Sequence, residues 1–446
     1  MRAVGVLAEH RDQGPVLEAR VEHDAVAGRE AFDAGAEPCD HPGTVRSEDP
    51  GLRHGREAHA HPHIEVVERR GGTADEHLAL AGIRIGNVVV PENLGAPLLV
   101  DPDRLRGQNP LMTAAELARR AEELGLDVVG ATPAEAYDET EQHIRGRRER
   151  GLFAGMKFTT AHPEVSCHPE LLLDGTARTV VSAALCYWSD APAAGPGEGR
   201  LPRYAWRDHY ALLRDRLDAL GQVLGGRYRV LVDENQHVDR EGARRAGLGF
   251  YGKNTMLITR EHGSWVVLGT LVTDALVEAT PPLDLDCGRC TLCIDACPTG
   301  ALDEPGVLDA NLCLSYWTQA PAPVPEAFRE ELGASVYGCD ICQDVCPWNR
   351  GIEKRRHDRP LPEGAVPNVS LADWLTRAGA DLVREVDRLY VPKNDPRWLR
   401  RNALYALGNT DTVDALPLVE VWAASDDPVL VDAAAWATAR ITERAR

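Results

Sequence analysis

The sequence predicts an α+β protein in three consecutive parts: an α/β domain over 112–280, a cysteine-held segment over 281–355 and an α-helical tail over 360–446. Three observations carry this prediction. Helical and strand patterns alternate from 112 to about 280, eight cysteines crowd into the 60 residues from Cys287 to Cys346, and past Pro360 the pattern turns to helices rich in Ala and Leu. A chain of 446 residues also suits more than one core, since single cores rarely grow beyond about 250–300 residues.

The alternation starts late. Residues 1–111 hold a single aromatic residue, Phe32, which leaves little from which to build a core. Rich in His, Gly, Asp and Arg, the segment shows no sustained period before short apolar stretches near Ile83–Val90 and Leu98–Val100. It reads as unstructured, or as an extension outside the functional protein with Met112 as the start. Thr113 and Glu116 then make a capping-box pattern that opens an amphipathic helix through Leu117, Ala118, Ala121 and Leu124, ended by Gly125. Arg178–Tyr187 is a buried-strand pattern, Tyr210–Leu224 an amphipathic helix, Tyr228–Val232 a strand and Gly263–Thr273 another.

Two features of this first part invite a chemical reading. Asp233 follows the apolar strand Tyr228–Val232, where a side chain can project from a strand end into a cleft. A strand-end Asp is equally a helix cap or turn residue, and local pattern leaves both open. Gly247-Leu-Gly-Phe-Tyr-Gly252-Lys253-Asn254-Thr255 satisfies G-x-G-x-x-G and misses a P-loop because Asn254 stands where Ser or Thr is required. Both phosphate-binding motifs need a preceding strand, whereas helical residues Arg240–Ala246 come first. A turn from a helix into a strand around Met256–Thr259 fits better.

The cysteines are the most specific signal. Of eleven, Cys39, Cys167 and Cys186 are scattered. Cys287-x2-Cys290-x2-Cys293-x3-Cys297-Pro298 has the bacterial ferredoxin spacing, in which three thiolates hold one [4Fe–4S] cluster and the fourth reaches to another. Cys339-x2-Cys342-x3-Cys346-Pro347 repeats the motif with one cysteine missing, and Cys313 completes the count. Two cubanes then take Cys287, Cys290, Cys293 and Cys346, and Cys297, Cys313, Cys339 and Cys342. Zinc competes for Cys-x2-Cys pairs but does not need the close third and fourth cysteines. Two adjacent clusters form a wire for single electrons; they do not specify a substrate.

In the tail, Ala403–Gly408 (ALYALG) resembles Ala434–Ala439 (AAWATA) at an offset of 31 residues, which suggests a short HEAT-type stack; an ordinary helical tail packed on the core is the alternative. The formal net charge is −20, yet basic clusters stand at Arg145, Arg147, Arg148 and Arg150 and at Lys393, Arg397, Arg400 and Arg401. Pattern alone makes each a solvated helix face. No apolar stretch is long enough to cross a bilayer and no export signal precedes the chain, so the expected address is the cytoplasm and the cysteines are metal ligands or free thiols rather than disulfides.

Taken together, VDENQHVDR, AGLGFYGKNTML, CGRCTLCIDACPTGAL, YGCDICQDVCPWN and RRNALYALG resemble the epoxyqueuosine reductases, which carry out the last step of queuosine synthesis in tRNA. The resemblance covers residues 112–446. It implies a cobalamin-dependent enzyme in which both clusters reduce the corrinoid cobalt, which opens the epoxide of the modified wobble base, with Asp233 as proton donor. It further implies that Asp233, Leu257, Leu268, Ser315, Cys339 and Asp340 line the cobalamin site, with Ser166 at another contact position where the family pattern would have an Arg. The family binds cobalamin without a protein His beneath the cobalt, and no D-x-H-x-x-G motif occurs here. In this light Lys393, Arg397, Arg400 and Arg401 are expected to contact phosphates of the tRNA anticodon stem-loop. The protein is expected to act as a monomer served by an unidentified electron donor. Two other classes remain: a ferredoxin-like carrier subunit, for which the large first domain is superfluous, and a cobalamin-dependent reductive dehalogenase, from which the helical tail and missing export signal differ.

Overall fold

Among the described residues, Met112 is the first tied into the sheet region, through a one-residue parallel bridge to Val277. The structure, a computed structural model, describes residues 111–446; the expectation made for 1–111 lies, Leu111 apart, outside the described residues. Thr113 caps α1 (Ala114–Glu123) by accepting from the Glu116 N–H at 3.2 Å. The next free N–H of the cap, that of Ala114, donates instead to Glu278 Oε2 at 2.9 Å. A residue 164 positions away thereby fastens the helix to the segment leaving the sheet.

Four strands, β1 (Val128–Pro133), β2 (Thr179–Cys186), β3 (Tyr228–Leu231) and β4 (Val266–Thr273), form one sheet in the order β1-β2-β4-β3. Every neighbouring pair is antiparallel. The α/β label expected for 112–280 is thereby corrected to α+β. Alternating patterns locate helices and strands but not the direction in which each strand re-enters the sheet, which long-range pairing decides. The expected strand over 263–273 begins only at Val266.

All eight residues of β2 and of β4 are buried, so both faces of the sheet are covered. Val181 and Leu271 join a core with Leu213, Leu217 and Leu220 of α2 (His209–Leu224). Val180 and Val272, one residue along and therefore on the opposite face, pack with Leu231, Leu172 and Leu173. The helix α3 (Asp239–Arg245) ends before Gly247. There φ is +73° and a Cβ would stand 2.3 Å from the Pro281 carbonyl oxygen, so only glycine fits. The chain then forms a hairpin pairing Gly249–Tyr251 with Leu257–Thr259. The Gly-rich stretch is thus a turn and hairpin, with one strand hidden among its glycines.

Beyond the sheet come α4 (Leu314–Gln319), α5 (Arg397–Thr410), α6 (Leu416–Ala423) and α7 (Pro428–Arg444). The two look-alike stretches lie in α5 and α7, which pack against each other. Gly408 permits the approach: a Cβ there would stand 2.6 Å from the Trp436 ring. Leu314, Val336, Tyr337 and Cys339 share one apolar core with Trp374, Leu399, Leu404 and Leu407. The cysteine segment and the helical tail therefore share an apolar core. No helix among the described residues is long and apolar enough to cross a membrane.

Candidate functional site

The eight clustered cysteines, none in a disulfide, converge on two small cavities. One is bordered by Cys287, Cys290, Cys293 and Cys346 together with Lys253, Asn254 and Trp348. The other is bordered by Cys297, Cys313, Cys339 and Cys342 together with Leu308 and Leu314. These are the two groups of four named from the sequence. Burial pushes the Cys293 thiol up to about 11 and those of Cys313 and Cys346 up to about 12. Such thiols ionise only when a cationic group displaces their protons, which iron does on ligation. Cys287, Cys290 and Cys297 are half-buried and the other five are buried, so the first cavity has the more open rim. Asn254 borders the first cavity, and its Nδ2 donates to the Cys342 carbonyl at 3.3 Å, so it stands between the two.

Asp233 stands two residues beyond β3, half-buried, with φ +60°. A left-handed conformation costs a non-glycine residue roughly 1–2 kcal/mol, and the loop that imposes it is fastened on both sides. On one side Glu234 pairs with Arg214 at 3.0 Å and Arg229 at 3.7 Å, while Arg214 also donates to the Val232 carbonyl at 2.7 Å. On the other, the fully buried His237 lies 3.1 Å from the Tyr137 hydroxyl through Nε2 and 3.3 Å from Asp239 Oδ1 through Nδ1. Thr270 of β4 donates to the same Asp239 oxygen at 3.1 Å. Burial raises the Asp239 pKa, and the contact with His237 opposes that rise. The negative charge of Asp233 reaches Tyr204, Tyr210 and Tyr337, phenols that burial keeps protonated.

Beside the cysteine segment, Arg203 joins two carboxylates. Its Nη1 lies 3.1 Å from Asp340 and 2.8 Å from Asp344, and its guanidinium stacks 4.7 Å from the Trp265 ring centre. Burial pushes the Asp340 carboxyl up to about 7, against the pull of Arg203. Arg203, Tyr337, Cys339, Asp340 and Asp344 border a cavity of ≈ 380 Å³. A second cavity, of ≈ 390 Å³, has walls of Ile144, Phe153, Met156 and Phe158, and a polar side made by Arg147, Arg240 and Thr255. Thr255 Oγ1 and Arg240 Nη2 are buried without a hydrogen-bond partner among the described residues.

Residues 286–349 match the family described as 4Fe-4S double cluster binding domain. Along its length the chain is 34% identical over 342 residues to the epoxyqueuosine reductase of Lactococcus garvieae (strain Lg2), covering 74% of this chain and 97% of that protein. The chain belongs to the epoxyqueuosine reductase family. Two solved reductases are similar at 34% identity and a TM-score of 0.66. One, matched over 73% of this chain and 89% of its own, is bound to an epoxyqueuosine-modified tRNA-Tyr stem loop. The other, from Bacillus subtilis, is matched over 73% of this chain and 90% of its own and has its catalytic aspartate loop swung out of the active site.

Against the contacts that the epoxyqueuosine reductase resemblance implied, Cys339 and Asp340 border the ≈ 380 Å³ cavity, while Asp233, Ser166, Leu257, Leu268 and Ser315 border neither cavity. Leu257 and Leu268 are core residues. Ser315 is buried on α4, where its Oγ accepts from Gln319 at 3.2 Å. Ser166 has no exposed surface and its carbonyl accepts from the Val238 N–H, so it supports the loop after Asp233 and has no side-chain surface to offer a ligand.

The basic set on the tail divides. Lys393 is exposed, whereas Arg397 pairs with Asp427 at 2.8 Å and Arg400 donates to the Arg377 carbonyl at 2.8 Å and stacks on Trp422. Arg401 corrects the sequence reading. It is completely buried and donates to the carbonyls of Trp317, Thr318, Ala320 and Ala322 and to Asn402 Oδ1, which leaves no donor for a phosphate. In the other cluster, Arg145 and Arg150 are paired with Glu141 and Glu304.

Tyr137, His237 and Arg203 went unassigned in the sequence reading. The first two are 100 residues apart, so only the presence of His and Asp inside VDENQHVDR hinted at them.

Proposed function

We propose that this protein reduces the epoxide of epoxyqueuosine at the tRNA wobble position to give queuosine, with two [4Fe–4S] clusters and cobalamin as its resident groups. The observation that carries the reading is the union, in one chain spanning nearly the whole of a named reductase, of two four-cysteine cavities with Asp233 on its fastened loop.

Cys287, Cys290, Cys293 and Cys346 would hold the outer cluster, and Cys297, Cys313, Cys339 and Cys342 the inner one. The half-buried Cys287 and Cys290 would leave the outer cluster the one nearer an electron donor, and Cys339, which borders the ≈ 380 Å³ cavity, would bring the inner one beside that cavity. Cobalamin is a bulky group with apolar walls and an amide rim. The ≈ 390 Å³ cavity, with its apolar side and the orphaned Thr255 and Arg240 donors, would hold part of such a group. When bound, cobalamin supplies a metal centre able to pass electrons to an epoxide carbon.

The chain's own residues do the rest. Asp233, as the carboxylic acid, gives its proton to the epoxide oxygen as the C–O bond breaks. The Glu234 and His237 anchors hold the loop that aims it. Helices α5 to α7 act as a HEAT-like stack that meets the anticodon stem-loop, with Lys393, Arg397 and Arg400 toward phosphates. The protein works in the cytoplasm, as a monomer served by an electron donor yet to be identified.

Nucleoside analysis of tRNA tests this in a strain lacking the gene, complemented with wild type or with Asp233→Asn. Epoxyqueuosine should accumulate in the deletion strain, disappear with wild type and persist with the variant. Normal queuosine in the deletion strain would refute the activity; full rescue by Asp233→Asn would refute the acid.

A further inference from the structure

The Gly-rich stretch 247–255 has no phosphate to bind, yet its hairpin tip is built against the first cysteine cavity. Lys253 borders that cavity, and its ammonium donates to the Gly288 carbonyl at 2.8 Å and the Cys290 carbonyl at 2.9 Å. Its carbonyl accepts from the Gly306 N–H at 2.8 Å. One residue thus grips the Cys-x2-Cys-x2-Cys loop through its ammonium while its own backbone is tied to Gly306. The second cavity differs in kind. Its border is made of Cys297, Cys313, Cys339, Cys342 and uncharged neighbours, with no cationic side chain.

We infer that Lys253 is a positioning residue for the outer cluster, fastening its binding loop and holding a fixed positive charge beside it so that this cluster is more easily reduced than the inner one. The inference rests on the reading of the eight cysteines as ligands of two clusters. Its physical cause is elementary. An electron added to a cluster already bound by four thiolates raises its negative charge, and a cation held a few ångströms away favours the reduced form. Asp286 acts against this from the same loop, but it is exposed and water screens it. Lys253 is half-buried, with its ammonium committed to two carbonyls.

The test is a redox titration followed by electron paramagnetic resonance on the full chain with its iron loaded, without tRNA or cobalamin, comparing wild type, Lys253→Met, Lys253→Gln and Lys253→Arg. In Lys253→Met and Lys253→Gln the reduction constant of one cluster should fall about tenfold, or 59 mV for one electron, while the other cluster stays put and Lys253→Arg restores the wild-type value. No shift in either variant, or an equal shift of both clusters, would overturn the inference. So would iron loss in Lys253→Met beside an unshifted Lys253→Gln, since the lysine would then only fasten the loop. A wild-type protein giving no cubane signal at all would sink the cluster reading itself, a distinguishable result.

Discussion

Replacing Arg401 with Met separates a structural arginine from a phosphate-binding one. Its guanidinium lies in no exposed surface and donates to Ala320 at 2.8 Å, Trp317 at 2.8 Å, Thr318 at 3.3 Å and Asn402 at 2.8 Å, besides the Ala322 carbonyl. These carbonyls close the end of α4 and the turn after it, so the side chain fastens α5 of the tail to the cysteine segment. Burial pulls its pKa down to about 10, which still leaves it charged at neutral pH. Methionine fills much of the same volume but removes every donor. Asn402 Nδ2 still satisfies Thr318 at 2.7 Å, whereas the Ala320, Ala322 and Trp317 carbonyls lose a buried partner. Leaving a buried acceptor without its partner costs about 1–3 kcal/mol, so three such carbonyls give a loss of about 3–5 kcal/mol once the desolvation of the guanidinium is no longer required, and at about 2 °C per kcal/mol for a unit of this size the thermal midpoint should fall by roughly 6–10 °C. Circular dichroism melts of the iron-loaded protein measure this, with stem-loop binding at several salt concentrations measured below the transition. The salt slope should stay as in wild type. An unchanged midpoint with a slope lowered by about 1 would mean that Arg401 reaches a phosphate, and the structural role would be wrong.

Charge reversal at the exposed Lys393 should do the opposite, lowering the salt slope of stem-loop binding by about 1 with the melting midpoint unmoved; an unchanged slope would remove this residue from the tRNA surface. Glu234→Gln should loosen the Arg214 and Arg229 grip beside Asp233 and lower kcat about tenfold with KM for the stem-loop nearly constant. An effect confined to KM would mean that the loop contacts tRNA instead of aiming the acid. His209, whose pKa burial pulls down to about 3, stays neutral in the folded protein while the unfolded chain titrates it near 6.5. The unfolded state therefore binds the extra proton between these values, so this contribution is complete above about pH 6.5 and is lost as pH falls toward 3, by up to about 1.4 kcal/mol per pH unit. Urea midpoints at pH 7, 6 and 5 should fall more steeply for wild type than for His209→Gln, and parallel lines would refute the assignment.

The sequence by itself determined the parts whose chemistry is local. Cysteine spacing is dictated by the tight loop that three thiolates need around one cluster, and the leftover Cys313 follows from counting, so both groups of four could be named before any contact was known. The place of Asp233 just past a strand was legible because an apolar run ends before it, although its role came only from the family resemblance, and the cap at Thr113 was legible because capping acts over three residues. Only the tertiary structure decided what depends on partners far along the chain. β1 and β2 run antiparallel through pairings such as Val128 with Ala184, which no periodicity encodes. Arg401 shares its basic neighbourhood with the exposed Lys393 and differs only because the carbonyls of 317–322 fold over it. Tyr137 meets His237 across 100 residues. A charge pattern records which groups a segment carries, whereas burial, which determines whether a charge meets water, an RNA phosphate or a backbone carbonyl, is a property of the assembled fold.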